Sequence, residues 1–319
     1  MSDNGEVKTL TYKSGAVYEG TFDSDNNRSG RGHWRHPNGE TYEGEYRKNT
    51  MHGLGIYLHA DTGKCYLGRW DMGVMQGRGV YYFDKQKLAA YIGHYTNDKK
   101  DEDGYYRYES GVVTFQRWSS GTLSSEREAT PLEVVESAIE EKDICERVRL
   151  VAPKELGEVP PPSDIRTFQF PTGPTYTGQY CGTKKHGQGY WLHPDGDSYE
   201  GQFEYNKHQG WGVYITGRNG KRYVGQWKDA KMNGVGVYFF NPEETEYFIG
   251  MYRDDKKHGR GMYHFSDKGN SMVQLWDNGT LEQESPADAK LESDFNEALK
   301  RIVECVKPFA PNYVSRFQA

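Results

Sequence analysis

The chain has 319 residues, 35% of them hydrophobic and 27% charged, with a formal net charge of -6 at pH 7. A mean hydropathy of -0.93 argues against a thick conventional core, and the mild negative charge argues against a nucleic-acid partner. The sequence has no apolar run near the roughly 18 residues of a membrane span and no apolar signal segment at its polar N-terminus. We therefore expect a cytoplasmic protein.

Aromatic residues and glycine recur with a fixed period in two stretches of the chain. The first motif, which we call the anchor, has the form Tyr-x-Gly-x-aromatic. A second motif, Gly-x-Gly-x-aromatic, follows most anchors after about ten residues, as at Gly53, Gly55 and Tyr57. Turn residues such as Pro37-Asn38-Gly39 separate the motifs, so each unit is predicted to be one β-hairpin. The anchors, of the form Tyr-x-Gly-x-aromatic with one phenylalanine in first place, begin at Tyr18, Tyr42, Tyr66, Tyr91, Tyr176, Tyr199, Tyr223 and Phe248.

The strand period predicts which residues share a face of each hairpin. Residues i, i+2 and i+4 lie on one side of a strand, so Tyr42, Gly44 and Tyr46 point one way. Glu43 and Glu45 point the other way, and that second face is predicted to be solvated. Each central glycine leaves room for a ring from the neighbouring hairpin, so the hairpins are expected to stack into a twisted ribbon that buries the aromatic face.

A helix is predicted behind each array. Thr130-Pro131 and Ser285-Pro286 both have the pattern of an N-cap followed by proline at the first helical position. Between the first helix and the second array, Glu155 to Asp164, with three consecutive prolines at 160–162, is predicted to be a stiff linker. The apolar stripe of the C-terminal helix comprises Leu291, Phe295, Leu299, Ile302, Val303 and Val306.

Four segments follow from these patterns. We predict a first array with a degenerate cap over 1–123, and an acidic helix with a proline-rich linker over 124–164. A second array with a degenerate cap is predicted over 165–281, and a C-terminal amphipathic helix and tail over 282–319. The second half repeats the first at an offset of 157 residues, since Tyr42 corresponds to Tyr199 and Tyr66 to Tyr223.

The anchors, their spacing and the turn residues resemble the MORN-repeat family. Segments 41–64 and 198–221 match its consensus from end to end, and the resemblance covers about 15–123 and 172–281, with capping half-repeats at 112–123 and 272–281. The resemblance implies a mainly β fold of two stacked β-hairpin ribbons, each followed by an amphipathic α-helix. Stand-alone tandem arrays of this family resemble radial-spoke-head and related axonemal proteins, which implies a cilium or flagellum component.

The sequence has no pattern typical of catalysis, a cofactor or a metal. The Gly-x-Gly motifs lack a third glycine and open no helix, and the four cysteines form no CxxC pair. His52, His186 and His258 each precede a glycine at one repeat position, where a hairpin-loop role is favoured over metal binding. We therefore predict a protein that is not an enzyme and has no cofactor, no catalytic residue and no metal ligand.

A binding surface remains as the candidate functional site. Aromatic rings that no neighbouring repeat covers would line a groove for a helix or an extended peptide. In the alternative interpretation, stacking between repeats buries all of the rings. The candidate rings are Tyr42, Tyr46, Tyr66, Trp70, Tyr199, Phe203, Tyr223 and Trp227.

Three functional interpretations follow from such a surface. We predict a non-catalytic scaffold that binds other protein subunits of a large assembly, with homo-oligomerisation left open. A tether to acidic phospholipids is one alternative, disfavoured because neither ribbon has a strong basic stripe. A regulatory subunit of an enzyme complex is the other, with Phe295 and Val303 on the stripe that contacts the enzyme.

Overall fold

A computed structural model describes residues 6–158, 163–266 and 269–313. The chain divides into two compact units, Met1–Ala129 with Glu136–Val159, and Thr130–Val135 with Pro160–Ala319. The described residues of each unit contain one antiparallel sheet of eleven strands in sequence order. The predicted mainly β fold, with a helix after each sheet, is confirmed. The predicted prolines of the linker lie outside the described residues.

The first sheet is followed by two helices, α1 (Pro131–Arg149) and α2 (Pro153–Leu156). Its strands are β1 (Lys8–Thr11), β2 (Val17–Phe22), β3 (Arg28–Arg35), β4 (Thr41–Arg47), β5 (Thr50–Leu58), β6 (Cys65–Asp71), β7 (Val74–Tyr82), β8 (Ala90–Thr96), β9 (Lys99–Arg107), β10 (Val113–Ser119) and β11 (Thr122–Glu128).

The second sheet is followed by α3 (Ala289–Val306). Its strands are β12 (Arg166–Gln169), β13 (Thr175–Cys181), β14 (Lys184–Leu192), β15 (Ser198–Glu204), β16 (Lys207–Ile215), β17 (Arg222–Lys228), β18 (Lys231–Phe239), β19 (Tyr247–Arg253), β20 (Lys256–His264), β21 (Ser271–Asp277) and β22 (Thr280–Pro286). None of the described helices is long and apolar enough to cross a membrane.

The anchor ring of each repeat lies across the glycines of its own hairpin. Gly44 pairs with Gly55 across β4 and β5, and a Cβ added at Gly55 would lie 2.4 Å from the Tyr42 hydroxyl oxygen. That hydroxyl donates a hydrogen bond to the Glu45 carbonyl at 3.0 Å. The Tyr42 ring meets the Trp70 ring edge to face at 5.4 Å. One ring therefore fills the gap above the glycines of its own hairpin and joins that hairpin to the next. The prediction that a ring from the neighbouring hairpin fills the gap is wrong, because the anchor tyrosine lies over the glycine two residues along its own strand.

The face opposite the rings is apolar and covered in the first unit, so the prediction of a solvated second face is wrong. Ile56, Leu67 and Val80 are at most 4% exposed and pack with Ile144 and Val148 of α1. These strand residues alternate with the anchor rings, as the strand period requires. The prediction was based on Glu43, and glutamate stands at this position in three repeats, at Glu19, Glu43 and Glu200. It was wrong because other repeats carry aliphatic residues there instead.

Buried polar contacts hold the helical segments of the first unit on this face. The Arg107 guanidinium on β9 pairs with the Glu141 carboxylate on α1 at 3.0 Å, and both side chains are less than a fifth exposed. The Tyr82 hydroxyl donates to the same carboxylate at 2.7 Å. Glu43 accepts the backbone N–H groups of Lys154 and Glu155, at 3.1 and 2.7 Å. Glu155 therefore belongs to the docked helix α2, although the sequence placed it in a linker.

In the second unit, α3 contacts β16, β17 and β18. The stripe is buried at Phe295, Leu299, Ile302, Val303 and Val306, whereas Leu291 is half-buried. After the helix, the Asn312 backbone N–H donates to Glu200 at 3.2 Å, which repeats the contact of Glu43 in the first unit.

The start of α1 is as the sequence predicts, whereas the start of α3 differs from the prediction. Thr130 and Glu133 form a reciprocal capping box at the start of α1. The N-cap of α3 is Asp288, whose carboxylate accepts the Leu291 N–H at 2.8 Å, because the predicted cap Ser285 is still part of β22. The predicted half-repeats at 112–123 and 272–281 likewise lie in complete hairpins, whose second strands continue to Glu128 and Pro286.

Candidate binding surface

The predicted site rings are buried. All eight are at most 8% exposed, because each stacks edge to face on rings of its own and adjacent hairpins. Two ring clusters result, one in each unit, and neither includes a helical residue. The prediction that these rings contact a partner stays a prediction, and their burial favours a structural role.

A second set of aromatic residues lies on the same side of each sheet and is half-buried. Tyr214, for example, pairs across the strands with both Tyr199 and Tyr223 and so shares their face. All of these rings except Tyr106, which has Glu102 in place of the first glycine, come from the Gly-x-Gly-x-aromatic motif. None of them is among the predicted site residues. They are Trp34, Tyr57, Tyr81 and Tyr106 in the first unit, and Trp191, Tyr214, Tyr238 and Tyr263 in the second.

A third position on this ring face differs between the outer two and the inner two of the four anchor hairpins in each array. It is the residue that pairs across the hairpin with the last ring of the anchor, as Lys257 does with Tyr252. We call these residues the cross-hairpin row. In the first array the row is Arg28, Met51, Met75 and Lys100. In the second array it is Lys185, His208, Met232 and Lys257.

The end lysines of the row lie among ring faces. The Lys257 ammonium is 4.1 Å from the ring centre of Phe248 and 4.5 Å from that of Trp276. Lys100 repeats this arrangement in the first array, at 4.2 Å from the ring centre of Tyr91. Burial lowers the pKa of each of these two lysines to about 8, and that of Lys185 is lowered by the same cause. Desolvation and the attraction of the ring faces for a cation act in opposite directions here.

The middle of the row in the second unit borders a cavity of about 290 Å³. His208, Tyr214, Trp227, Met232 and Tyr238 form its aromatic and apolar lining. Its charged lining residues are Lys221, Arg222 and Asp255.

His208 is uncharged at neutral pH and is stacked on an anchor ring. Burial, and then the charge of Lys185, lower the His208 pKa to about 3. Its imidazole lies 3.7 Å from the ring centre of Tyr199 and almost parallel to it, at 9°. Its Nδ1 atom is buried with no hydrogen-bond partner among the described residues.

The histidines and cysteines that the sequence analysis considered are dispersed in the structure. His52, His186 and His258 all lie in strands, so the hairpin-loop position predicted for them is wrong. The His52 Nδ1 lies 3.1 Å from Asp71, and the His258 Nδ1 lies 3.5 Å from Asp277. All four cysteines are free. Within the part of the chain that the structure describes, no three His, Cys, Asp or Glu side chains are grouped to hold a metal ion.

Six segments of the chain match the model of the MORN repeat: 18–41, 42–64, 66–86, 199–221, 223–242 and 248–269. The chain is a MORN-repeat protein. Each matched segment contains one of the glycine-backed anchor rings described above. Because MORN repeats generally mediate protein or membrane interactions, this MORN-repeat protein is a repeat-based binding protein.

Part of the chain is similar to alsin. Alsin from Homo sapiens is 35% identical over 95 residues, covering 27% of this chain and 6% of alsin. Alsin from Mus musculus is 37% identical over 75 residues, covering 22% of this chain and 4% of alsin. The chain thus matches only a small part of the length of these relatives.

A solved structure also aligns with the chain. It is the TCP domain of SAS-4 in complex with a proline-rich motif of Ana2 from Drosophila melanogaster. The alignment covers 71% of this chain and 87% of that one, at 10% identity with a TM-score of 0.16. That score is too low to indicate a shared architecture.

Proposed function

We propose that this MORN-repeat protein is a non-catalytic scaffold that binds other proteins through the ring face of each array. The observation that carries the proposal is the difference between the two faces of each sheet. Within its own unit, each helical segment packs on the apolar face, and the ring clusters contain no helical residue. The ring face is therefore the one left to a partner.

The exposed composition of this face is suitable for protein binding. Half-buried tyrosine and tryptophan side chains offer large apolar area with few rotatable bonds, and such residues dominate binding energy at protein interfaces. The rings beneath them hold the backbone in one conformation, which reduces the entropy lost on binding. A rigid, aromatic face of this kind supports an assembly role without chemistry of its own.

The proposal is tested by affinity purification of the tagged full chain followed by mass spectrometry. We compare the wild type with the variant Tyr214→Ser/Tyr238→Ser, which removes two half-buried rings beside the cavity. Leu150→Ser is the matched control, since Leu150 is 65% exposed and lies outside the sheets. We expect the wild type and the control to recover the same proteins and the double variant to lose them. The circular dichroism spectrum of the double variant should be unchanged.

Recovery of the same proteins by all three chains, or of none by the wild type, would contradict the scaffold proposal. Substitutions in the helix stripe are unsuitable for this test. Phe295 and Val303 are at most 4% exposed, so a charge at either position would disrupt packing instead of reporting on a partner.

We further propose that the assembly is a ciliary or flagellar axoneme, for example a radial spoke head. The support is the resemblance of this tandem array to axonemal members of the family. Detergent extraction of flagella from cells that express the tagged chain tests this proposal. Retention in the axoneme pellet is expected, and release with the membrane and matrix fraction would contradict it.

A further inference from the structure

We propose that the ring face of each array binds an acidic segment of a partner protein, in which carboxylates at two points flank a run of apolar side chains. The inference rests on the proposed scaffold function and specifies the chemistry of the partner. Its basis is the cross-hairpin row, whose charge pattern is the same in both units.

The row has a cation at each end and uncharged residues in the middle. In the first array Arg28 and Lys100 are the ends, and in the second array Lys185 and Lys257 are the ends. The middle positions carry methionine, except for His208, whose pKa of about 3 leaves it uncharged. Since the row position lies beside the ring stack in every repeat, the difference between ends and middle is not required by the fold.

The end cations of the second array lack an anionic partner within the described residues. Neither Lys185 nor Lys257 takes part in an ion pair there, whereas exposed lysines such as Lys207 and Lys231 do. An ammonium has three donors and no acceptor, and ring faces attract the charge without accepting a conventional hydrogen bond. Two carboxylates of a partner, one beside each lysine, would provide the missing acceptors.

Carboxylates near the row are already engaged. Asp255, at the cavity, accepts the Met232 backbone N–H at 2.8 Å. Glu126, whose charge raises the pKa of Lys100, accepts hydrogen bonds from Thr114 and Gln116 at 2.7 and 2.8 Å. The protein therefore offers anchored cations and few competing internal anions, which favours an acidic partner over a basic one.

The middle of the row favours apolar side chains. In the second array the cavity of about 290 Å³ opens between His208 and Met232, and Tyr214, Trp227 and Tyr238 complete its apolar walls. This volume accommodates a single large apolar side chain of a partner. Methionine at the row position can adapt its conformation to such a side chain.

The strand spacing sets the length of the partner segment. Neighbouring strands lie about 4.8 Å apart, so row positions two strands apart are separated by about 10 Å and the end cations by about 29 Å. An extended segment covers that distance in about nine residues, and a helix covers it in about 19 residues. The two acidic groups should therefore be separated by one of these intervals, with apolar residues between them.

Selection from a phage-displayed library of random peptides against the full chain tests the inference. Lys185→Met/Lys257→Met is the test variant, because methionine occupies the same row position at Met232. Lys184→Met/Lys256→Met is the matched control, since it removes two exposed neighbouring lysines and an equal charge. We expect enriched peptides with acidic groups flanking apolar residues, binding on the order of tenfold more weakly for each row lysine removed and unchanged in the control.

The other outcomes overturn the inference. Enriched peptides without acidic residues, bound equally by the test variant, would remove the charge argument while leaving the scaffold proposal in place. Failure to enrich any peptide would also overturn the inference. If the full chain then pelleted with phosphatidylserine vesicles, the row cations would be assigned to binding a membrane surface. Recovery of no protein in the affinity purification is a separate result, which contradicts the scaffold function itself.

Discussion

Substituting Gly236 by alanine tests whether the anchor ring and the glycine below it determine the stability of an array. A Cβ at Gly236 would lie 2.2 Å from the Tyr223 hydroxyl oxygen and 2.4 Å from two atoms of its ring. The ring has little room to retreat, because Tyr223 is 2% exposed. Trp227 and Tyr252 meet it edge to face at 5.2 and 5.1 Å. The added methyl group must therefore displace either the backbone at residue 236 or the Tyr223 ring.

Two limits bracket the cost of this substitution. If the array absorbs the methyl group by small shifts, overpacking costs about 1–3 kcal/mol. If the Tyr223 ring is expelled, about 150–250 Å² of buried surface is lost, or about 4–6 kcal/mol at 25 cal/mol per Å². Since rings on both sides hold Tyr223, we expect Gly236→Ala to lower the free energy of unfolding by about 3 kcal/mol or more.

The assay is urea unfolding of the full chain, followed by tryptophan fluorescence. Gly182→Ala is the control, because its φ of +59° imposes only the cost of a left-handed alanine and nothing lies within 4 Å of the added Cβ. That cost is about 1 kcal/mol. A loss in Gly236→Ala no larger than in Gly182→Ala would refute the reasoning. Combining Gly236→Ala with Tyr223→Ala should cost less than the sum of the two single changes, because the clash is then removed.

Three further outcomes are expected from the packing and the buried charges. Leu299→Ala should lower the free energy of unfolding by about 2–5 kcal/mol in urea titration, because Leu299 is fully buried; a loss below about 1 kcal/mol would mean that α3 is loosely docked. Glu141→Ala should lower the free energy of unfolding by about 3–5 kcal/mol, because it leaves the Arg107 guanidinium buried and unpaired. The control Glu146→Ala, at a side chain 60% exposed, should lower it by about 0–1 kcal/mol. Equal losses of stability in the two variants would contradict the buried pair. Burial raises the pKa of Tyr18 from 10.0 to about 12, so its contribution to stability is complete below pH 10.0 and is lost as the pH rises towards about 12. A thermal midpoint that stays constant over that interval would contradict this expectation.

The repeating part of the fold follows from the sequence because its interactions are local. Each anchor ring contacts glycines of its own hairpin, and a period of two decides which side it occupies. The turn residues fix the hairpin ends, as at Gly39, whose φ is +91°. Periodicity, turn chemistry and glycine spacing all indicate the same hairpin, so the sequence predicts the ring face of every repeat.

The burial of the second face is harder to predict from the three repeats that carry glutamate there, at Glu19, Glu43 and Glu200. Leu67 and Ile92 stand between the anchor tyrosine and its glycine, where Glu43 stands in an earlier repeat. The apolar residues indicate a buried face, and the glutamate is buried there too, as the acceptor for the start of α2. A period of two reveals that such a face exists, but not which helix covers it.

The eight predicted site rings lie on the ring face, in its buried layer, and their contact with a partner stays a prediction. Tyr199 and Tyr223 form the buried layer, and the accessible layer is Tyr214, Tyr238 and the cross-hairpin row. The anchor motif alone could not separate the layers, because the anchor rings and their cross-strand partners such as Tyr214 share one face of the sheet. The cross-strand pairs of the hairpin were the available signal, since they place Lys257 beside Tyr252.

The docking of α3 limits where the second array can change in length. Asn296 accepts a hydrogen bond from Tyr247 on β19 at 2.9 Å, and Glu292 accepts one from Ser271 on β21 at 2.6 Å. A hairpin inserted between these strands would displace one partner by about 10 Å, farther than a side chain reaches. A hairpin added before β12 would disturb neither bond. The helix therefore fixes the number of strands at the C-terminal end of the array. The N-terminal end is where the array can lengthen or shorten during evolution.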